Sequence, residues 1–268
     1  MSVTASRFAP LISGSKVPEV DVMFWTLKLL TTALGESISD ALIKRFAPVP
    51  VVLVTAIIFA VVLGWQLRQP IYRTAPYWSS VVMVGIFGTM AADSVHVALG
   101  IPYVVSSAAF AIALVAVFLT WSRVERTLSI HSITTSRREL FYWAAIVSTF
   151  ALGTAVGDLT AITLHLGYLA SGLAFLVAFA LPGLAFRAGL LGAIAAFWTS
   201  YVLTRPLGAS FADLMGKPVA NGGEGWQSSH VAVVLAVLFG LGVALQRQRD
   251  LQRPSFLLIC QQDNPAPL

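Results

Sequence analysis

The sequence predicts an all-α integral membrane protein of eight transmembrane helices, and three observations lead to this prediction. Apolar residues make up 57% and charged residues 11% of the 268 residues, whereas soluble domains average about 45–50% and about 25%. The apolar residues form long runs separated by short polar segments, without the alternating ten-residue segments of a β-barrel. One motif also recurs at regular intervals along these runs, which predicts that the helices form repeated units.

Eight apolar segments are long enough to cross the hydrocarbon layer, for which a helix needs about 20 residues. The predicted helices cover residues 23–44, 49–67, 77–99, 102–121, 141–164, 168–186, 189–212 and 229–246. Residues 1–21 are polar and lack the short apolar core of a signal peptide, so we expect the first helix to be retained. The chain is thus predicted to consist of a tail over 1–21, a membrane domain over 22–247 and a second tail over 248–268.

The basic residues predict the orientation of these helices. Twelve lysines and arginines lie in the two tails and in the loops after the second, fourth and sixth helices. The loops on the opposite side contain three, which are Lys44, Arg45 and Lys217. Because basic loops remain in the cytoplasm, we expect both termini to be cytoplasmic.

Four copies of the motif Trp-x9-Gly-x4-Asp divide the membrane domain into repeats. The copies are Trp25, Gly35, Asp40; Trp78, Gly88, Asp93; Trp143, Gly153, Asp158; and Trp198, Gly208, Asp213. Each copy lies on an odd-numbered helix and is followed by an apolar even-numbered helix, so the unit is a two-helix hairpin. The units extend over about residues 22–68, 75–123, 140–187 and 195–247. Since all four enter from the same side, we expect parallel repeats around a pseudo-fourfold or doubled twofold axis along the membrane normal.

Four tandem two-helix repeats, each with a tryptophan, resemble the bacterial membrane-anchored proteins built from the repeat known as domain of unknown function 347. The resemblance extends over about residues 22–247 and implies this architecture and a multi-pass protein of the bacterial inner membrane. The fourth copy departs from the other three because Arg205-Pro206 precede its glycine. The resemblance implies no activity, so the function has to be inferred from the residues.

The tryptophans and glycines of the motif predict structural roles. Indoles at the start of the odd helices are typical of the aromatic belt at the headgroups, and a ring of indoles around the axis is the alternative. Trp65 and Trp121, at the ends of even helices, are predicted to be lipid anchors. Each motif glycine is followed four residues later by a small residue, a spacing that lets two helices pack closely.

The motif aspartates lead to the functional prediction. Each follows its tryptophan by fifteen residues, or about 22 Å along a helix, which places the carboxylate in the outer half of the membrane. A charge at mid-membrane costs on the order of 2.5–3.5 kcal/mol, so these carboxylates need compensation. The even helices have no ionisable residue in their apolar spans, so we expect the odd helices to form an inner ring with the aspartates facing one another. Glu36 lies one turn before Asp40, and Thr89 and Thr154 occupy the matching positions.

Three arrangements would compensate these carboxylates. Lys28 and Arg205 would pair with acids in a structural network, backbone amides would cap each aspartate, or the acids would bind and pass a cation or protons. Five acids against two bases within the membrane favour the third arrangement. His96 and His165 follow two of the aspartates and are either interfacial residues or members of a proton relay.

The sequence therefore predicts a transport protein, and not an enzyme, that moves a proton or a hard divalent metal ion. The predicted ion-binding residues are Asp40, Asp93, Asp158, Asp213, Glu36, Thr89 and Thr154. The alternative is a non-transporting scaffold or sensor with structural aspartates, and a third possibility, an enzyme acting on lipid, lacks a nucleophile or metal set. We expect the lipid bilayer and a small cation as partners, a homo-oligomer as one possible assembly, no cofactor and no nucleic acid.

Overall fold

The computed structural model describes residues 14–252, apart from the side chains of residues 95, 97 and 98. Much of the two predicted tails, with Arg7, Arg253 and Cys260, lies outside the described residues. The described chain forms eight long α-helices: α1 Val22–Arg45, α2 Pro48–Leu67, α3 Thr74–Leu99, α4 Tyr103–Glu125, α5 Ser136–Asp158, α6 Gly167–Arg187, α7 Ala193–Gly216 and α8 Ser228–Gln252. Each of these helices corresponds to one of the eight predicted segments, and α5 and α8 extend farthest beyond the predicted ends.

Local sequence signals account for the helix ends. Asp21 caps α1 by accepting a hydrogen bond from the Phe24 amide at 2.8 Å, and Thr135 caps α5 in the same way. Pro48 begins α2, where its missing N–H costs nothing. Gly100 ends α3 in the left-handed conformation, with φ at 63°, that glycine adopts without strain.

Six helices of the described chain are long and apolar enough to cross a membrane, which indicates a multi-pass membrane protein in contact with lipid. The four even helices have mean hydropathies of 2.1–2.4, and at most 22% of each apolar window is buried inside the protein. In α3 and α5 the buried shares are 67% and 56%. The two other helices, α1 and α7, contain buried ionisable residues and lie in the protein interior.

The odd helices form a closed inner ring in which α1 packs on α3, α3 on α5, α5 on α7 and α7 on α1. Each even helix packs mainly on the odd helix of the following repeat: α2 on α3, α4 on α5, α6 on α7 and α8 on α1. The two helices of one hairpin make few contacts with each other. The covalent repeat and the packing unit are therefore offset by one helix. The last helix, α8, completes the outer layer by covering α1 of the first repeat.

The motif glycines lie where neighbouring ring helices approach most closely. A Cβ atom at Gly35 would lie 2.8 Å from Gly85 Cα, and one at Gly88 would lie 3.1 Å from the Phe150 side chain. A Cβ atom at the third and fourth motif glycines would overlap Arg205 and Thr32, respectively. Each motif glycine thus accommodates the residue seven positions after the tryptophan of the next repeat around the ring.

The motif tryptophans belong to an aromatic core at the amino-terminal face, which we define as the face where the odd helices begin. Trp78, Trp143 and Trp198 are at most 5% exposed, and Trp121 is fully buried. The interpretation of these four tryptophans as headgroup anchors was therefore wrong, because edge-to-face contacts with neighbouring aromatic side chains hold their indoles inside the bundle. The remaining motif tryptophan, Trp25, is half-buried at the edge of this core. Trp65 is 45% exposed, as expected for an anchor.

The segment before α1 covers part of the amino-terminal face. The Lys16 backbone amide donates to the Ile133 carbonyl at 2.8 Å, and its buried ammonium pairs with Glu139 and donates to the Leu67 carbonyl at 3.2 Å. Gln66 also donates to the Glu139 carboxylate, at 2.9 Å. A buried, fully paired charge thus fastens this segment to α2, α5 and the loop between α4 and α5.

A carboxylate cavity as the candidate functional site

The helical spacing of the repeat arranges the ring side chains in successive layers, counted from the motif tryptophan. The first layer, three positions after the tryptophan, consists of Lys28, Val81, Ile146 and Tyr201, and the second, seven positions after it, of Thr32, Gly85, Phe150 and Arg205. The third layer, eleven positions after it, consists of Glu36, Thr89, Thr154 and Ala209. The fourth, fifteen positions after it, consists of Asp40, Asp93, Asp158 and Asp213. The aspartates therefore lie toward the opposite end of the ring, the carboxyl-terminal face. The ionisable members of these layers have very different surroundings.

Arg205 occupies the centre of the ring and is fully buried. Its Nη2 donates to Glu36 Oε2 at 2.6 Å, to Thr154 Oγ1 at 2.9 Å and to Thr89 Oγ1. Its Nη1 donates to the Thr32 carbonyl at 3.4 Å. A guanidinium group from the fourth repeat thus fills the layer in which the other three repeats place an acid and two threonines.

This network neutralises the Arg205 charge and links all four ring helices, while Arg205 Nε has no hydrogen-bond partner among the described residues. Glu36 neutralises Arg205, and Thr89 and Thr154 add acceptors from α3 and α5. A buried ion pair of this kind contributes little net stability, but removal of one partner leaves an uncompensated charge and costs about 3–5 kcal/mol. Three of the residues predicted to bind an ion therefore bind Arg205 in this structure.

Lys28 is also fully buried in the ring, but it forms no salt bridge with an acid in the described part of the chain. Its Nζ lies 4.1 Å from the centroid of the Phe150 ring and 4.2 Å from that of Tyr201. This ammonium has no hydrogen-bond partner among residues 14–252. Of the two predicted charge partners, Arg205 pairs with an acid and Lys28 packs between aromatic faces.

Asp40 and Asp213 share one base, Lys217, which the basic-residue pattern predicts to lie in an outer loop. Lys217 Nζ lies 2.6 Å from Asp40 Oδ2 and 3.4 Å from Asp213 Oδ1. Burial alone would lower the pKa of Lys217, but the carboxylates of Asp213 and Asp40 outweigh it and raise this pKa above its usual value. The signal for this contact was the four-residue spacing from Asp213 to Lys217, which places both residues on one helix face.

Asp93 and Asp158 line a cavity of about 480 Å³ near the carboxyl-terminal face. Its wall includes all the acids of the site except Asp213, together with apolar residues of α2. Tyr103 and Tyr168 contribute phenol groups. Asp158 is the last residue of α5 before a π-helical turn over Leu159–Thr163, a local distortion that is frequent at functional sites.

Neither Asp93 nor Asp158 forms an ion pair within the part of the chain that the structure describes. The other three acids all do: Glu36 with Arg205, Asp213 with Lys217, and Asp40 with Lys217 and, at 3.6 Å, Lys44. Two carboxylates are thus left over in a largely buried site. An unpaired carboxylate in a buried site favours the uptake of a proton or a cation.

Part of the acid cluster also has a geometry compatible with one ion. Glu36, Asp40 and Asp213 each place one carboxylate oxygen within 4.8 Å of the others. Carboxylate oxygens are the ligands that hard cations such as Mg²⁺ and Ca²⁺ prefer. The Lys217 ammonium lies against two of these three acids, so it supplies the positive charge that a bound cation would otherwise supply there.

The two predicted relay histidines are not among the described residues that line the cavity. The His96 ring stacks on Tyr103 with 3.6 Å between centroids, and its Nδ1 donates to the Ile101 carbonyl at 2.5 Å. His165 is exposed in the loop after α5, with φ at 56°. His96 therefore contacts the site only through Tyr103, whose side chain lines the cavity, among the described residues.

Comparison with known proteins identifies the repeat. The family described as Repeat of Unknown Function (DUF347) matches residues 23–72, 76–127, 141–188 and 196–249. No curated protein and no solved structure matches the chain. Each matched segment contains one motif, one ring helix and the outer helix that follows, and together the four matches cover most of the sequence. The chain therefore belongs to the DUF347 repeat family and contains four tandem copies of its repeat.

Proposed function

We propose that the protein is a carrier that moves a small cation, either a proton or a hard divalent metal ion, across the bacterial inner membrane. In this proposal all eight helices span the bilayer as four parallel, pseudo-fourfold repeats. The excess of basic residues on the amino-terminal face supports a cytoplasmic position for both termini. The carboxylate cavity then belongs to the outer half of the membrane.

The observation that best supports this proposal is the pair of carboxylates without an ionic partner. Asp93 and Asp158 both line the cavity, and neither forms an ion pair within residues 14–252. A structural network would be most stable with a base for every buried acid, because an unpaired charge in low dielectric is costly. Unpaired acids beside an open volume suit a site that takes up and releases positive charge.

A carrier is favoured over an open pore because the axis is filled below the cavity. The Arg205 guanidinium crosses the ring one layer below the aspartates. Closer to the amino-terminal face, the hydroxyl groups of Tyr77 and Tyr142 are hydrogen-bonded at 2.6 Å within the aromatic core. Passage of an ion would therefore require rearrangement of these layers, as in alternating access.

The donor set favours hard ions. The cavity offers carboxylate and phenol oxygens, and no histidine or cysteine is among the described residues that line it. Oxygen ligands suit Mg²⁺, Ca²⁺ and Mn²⁺, whereas soft metal ions prefer sulfur. A proton bound between Asp93 and Asp158 is the simplest member of the same class.

The Arg205 network favours one alternative, a membrane scaffold or sensor. Glu36, Thr89 and Thr154 are all used to satisfy Arg205, which is the arrangement that a structural polar core would have. In a scaffold Asp93 and Asp158 would remain protonated and would bind no ion. The two functions therefore differ in whether the aspartate layer exchanges positive charge with its surroundings.

Flux measurements in proteoliposomes test the proposal. The purified protein would be assayed with H⁺, Na⁺, K⁺, Mg²⁺, Ca²⁺ and Mn²⁺, beside a variant in which all four motif aspartates are changed to asparagine. Glu224→Gln is the matched control, because Glu224 is an exposed acid outside the cavity. We expect selective flux in the wild type and the control and at least a tenfold loss in the folded aspartate variant. Absence of flux for every ion in the folded wild type would favour the scaffold.

A further inference from the structure

Lys28 is an ionisable member of the ring layers that belongs neither to the Arg205 network nor to the lining of the proposed ion site. It lies two layers below Glu36, is fully buried, and has no hydrogen-bond partner for its Nζ among the described residues. Its ammonium lies against the faces of Phe150 and Tyr201. A buried amine without an anion is unusual, since buried charges are normally paired.

Lys28 shares one aromatic ring with a second cation. The Phe150 centroid lies 4.1 Å from Lys28 Nζ and 5.5 Å from Arg205 Cζ. Arginine stays protonated in proteins, whereas lysine exchanges its proton when it is buried. Glu36 neutralises Arg205 alone, so a proton on Lys28 adds a second, uncompensated positive charge to the ring interior.

The titratable and charged groups around Lys28 come from every ring helix. Tyr201 and Arg205 face it from α7, and the hydrogen-bonded hydroxyls of Tyr77 and Tyr142 lie toward the amino-terminal face on α3 and α5. Glu36 follows it on α1 by eight residues. Residues 231–245 of α8, the apolar part of the helix that covers α1, contain no ionisable side chain.

Lys28 is close enough to the ion site for a charge at one to change the affinity of the other for a cation or a proton. Twelve residues separate Lys28 from Asp40 in the aspartate layer, which corresponds to about 18 Å along a helix. At an effective dielectric constant of about 20, a unit charge at that distance changes a proton affinity by about fivefold. A cation that enters the cavity would therefore weaken proton binding at Lys28, and a proton at Lys28 would weaken cation binding to the same extent.

We infer that Lys28 is the proton-carrying group of the transport cycle and that the protein exchanges protons for its cation. The Nζ amine accepts one proton when the cavity is empty and releases that proton when a cation binds, so no additional reactant is needed. This inference rests on the proposed transport function and specifies its coupling. It makes the protein an antiporter, because cation and proton occupy their sites in alternation.

The protonation of Lys28 can be measured without knowledge of the transported ion. The chain has lysines only at positions 16, 28, 44 and 217, so ¹³C-lysine labelling gives few NMR signals, and Lys28→Met assigns the one of interest. We expect the Lys28 signal to change with pH, because the amine takes up and releases its proton. In Asp93→Asn/Asp158→Asn, which removes negative charge nearby, its proton affinity should fall at least tenfold. A Lys28 signal that stays in the ammonium form to pH 10 in both proteins would overturn the inference.

Transport assays test the coupling. Mn²⁺ uptake driven by a pH gradient is compared with Mn²⁺–Mn²⁺ counterflow for the wild type, Lys28→Met and Lys28→Arg. We expect the ratio of gradient-driven uptake to counterflow to fall at least tenfold in both variants, since methionine binds no proton and arginine does not release one. An unchanged ratio in either variant would refute the role of Lys28 and leave the proposed carrier intact. If the wild type moves neither Mn²⁺ nor any other ion of the panel, the carrier itself fails, and the lysine titration then reports only a structural amine.

Discussion

Two adjacent layers of the same helix ring differ in whether their carboxylates have ionic partners. In the layer of Glu36 the single carboxylate is matched by Arg205, and both threonines are hydrogen-bonded to the same guanidinium. One turn farther along, the four aspartates have Lys217 and the more exposed Lys44 as their only ionic partners among the described residues. The helices, spacing and symmetry are shared, so the difference lies in the side chains alone. The paired layer links the four ring helices, and the underpaired layer is the one to which we propose that a cation binds.

The largest effect should follow from breaking the paired layer. Arg205→Met leaves Glu36 buried without a cation, and we expect a loss of about 3–5 kcal/mol in the free energy of unfolding. Glu36→Gln/Arg205→Met should recover much of this loss, because it removes both charges. Thermal unfolding in detergent measures both effects. If the single variant is as stable as the wild type, the network does not hold the ring together.

The glycine contacts should give the next largest effect. Gly208→Ala places a Cβ against Thr32 where two ring helices meet, and overpacking of this kind costs about 1–3 kcal/mol. Gly240→Ala on α8 is the matched control, because no atom lies within 4 Å of its added Cβ. The control should be neutral or slightly stabilising, since alanine favours helix over glycine. Equal melting temperatures for the two variants would contradict close packing at the motif glycine.

Removal of Lys217 should have a smaller, pH-dependent effect. Lys217→Met deletes the base between Asp40 and Asp213, and we expect a loss of about 2 kcal/mol at neutral pH, the usual size for a hydrogen bond to a charged group. The carboxylates raise the pKa of Lys217 in the folded state, so its contribution is fully present below the unfolded pKa of about 10.4. The stability difference between wild type and variant should therefore be constant from pH 7 to 9.5 and shrink above about 10.4. A difference that grows with rising pH would contradict this sign.

The smallest effect on stability should come from the unpaired layer itself. Asp93→Asn removes a partly buried carboxylate that has no ion pair in the described chain, so the free energy of unfolding should change by less than about 1 kcal/mol. A loss as large as that of Arg205→Met would show that Asp93 belongs to the structural network. Chemical denaturation of both variants under identical conditions makes the comparison.

The repeat made much of the fold predictable. Hydropathy located all eight helices, and the motif spacing placed Glu36, Thr89 and Thr154 at one level of the ring. The packing of each even helix on the next repeat was not predictable, because the linkers allow either neighbour and only the shapes of the contacting faces decide. The burial of the tryptophans was missed for a similar reason: an indole near a helix start suits both a headgroup belt and an aromatic core.

The partners of the acids were harder to predict than their positions. Arg205 lies one turn below the layer of Glu36, and its long side chain reaches across that turn, so sequence spacing alone did not assign the pair. Lys217 lies just beyond the end of α7 and bends back onto Asp40, a contact that depends on the loop that follows. Both cases concern flexible basic side chains, whose targets are set by the tertiary structure.

The most direct test of the distinction between the two layers is cation flux through Asp93→Asn/Asp158→Asn in proteoliposomes. The double variant keeps the Arg205 network and the shape of the cavity but removes the two carboxylates without ionic partners. We predict a melting temperature close to that of the wild type and a flux at least tenfold lower. Wild-type flux in the folded variant would contradict the assignment of these aspartates to ion transport.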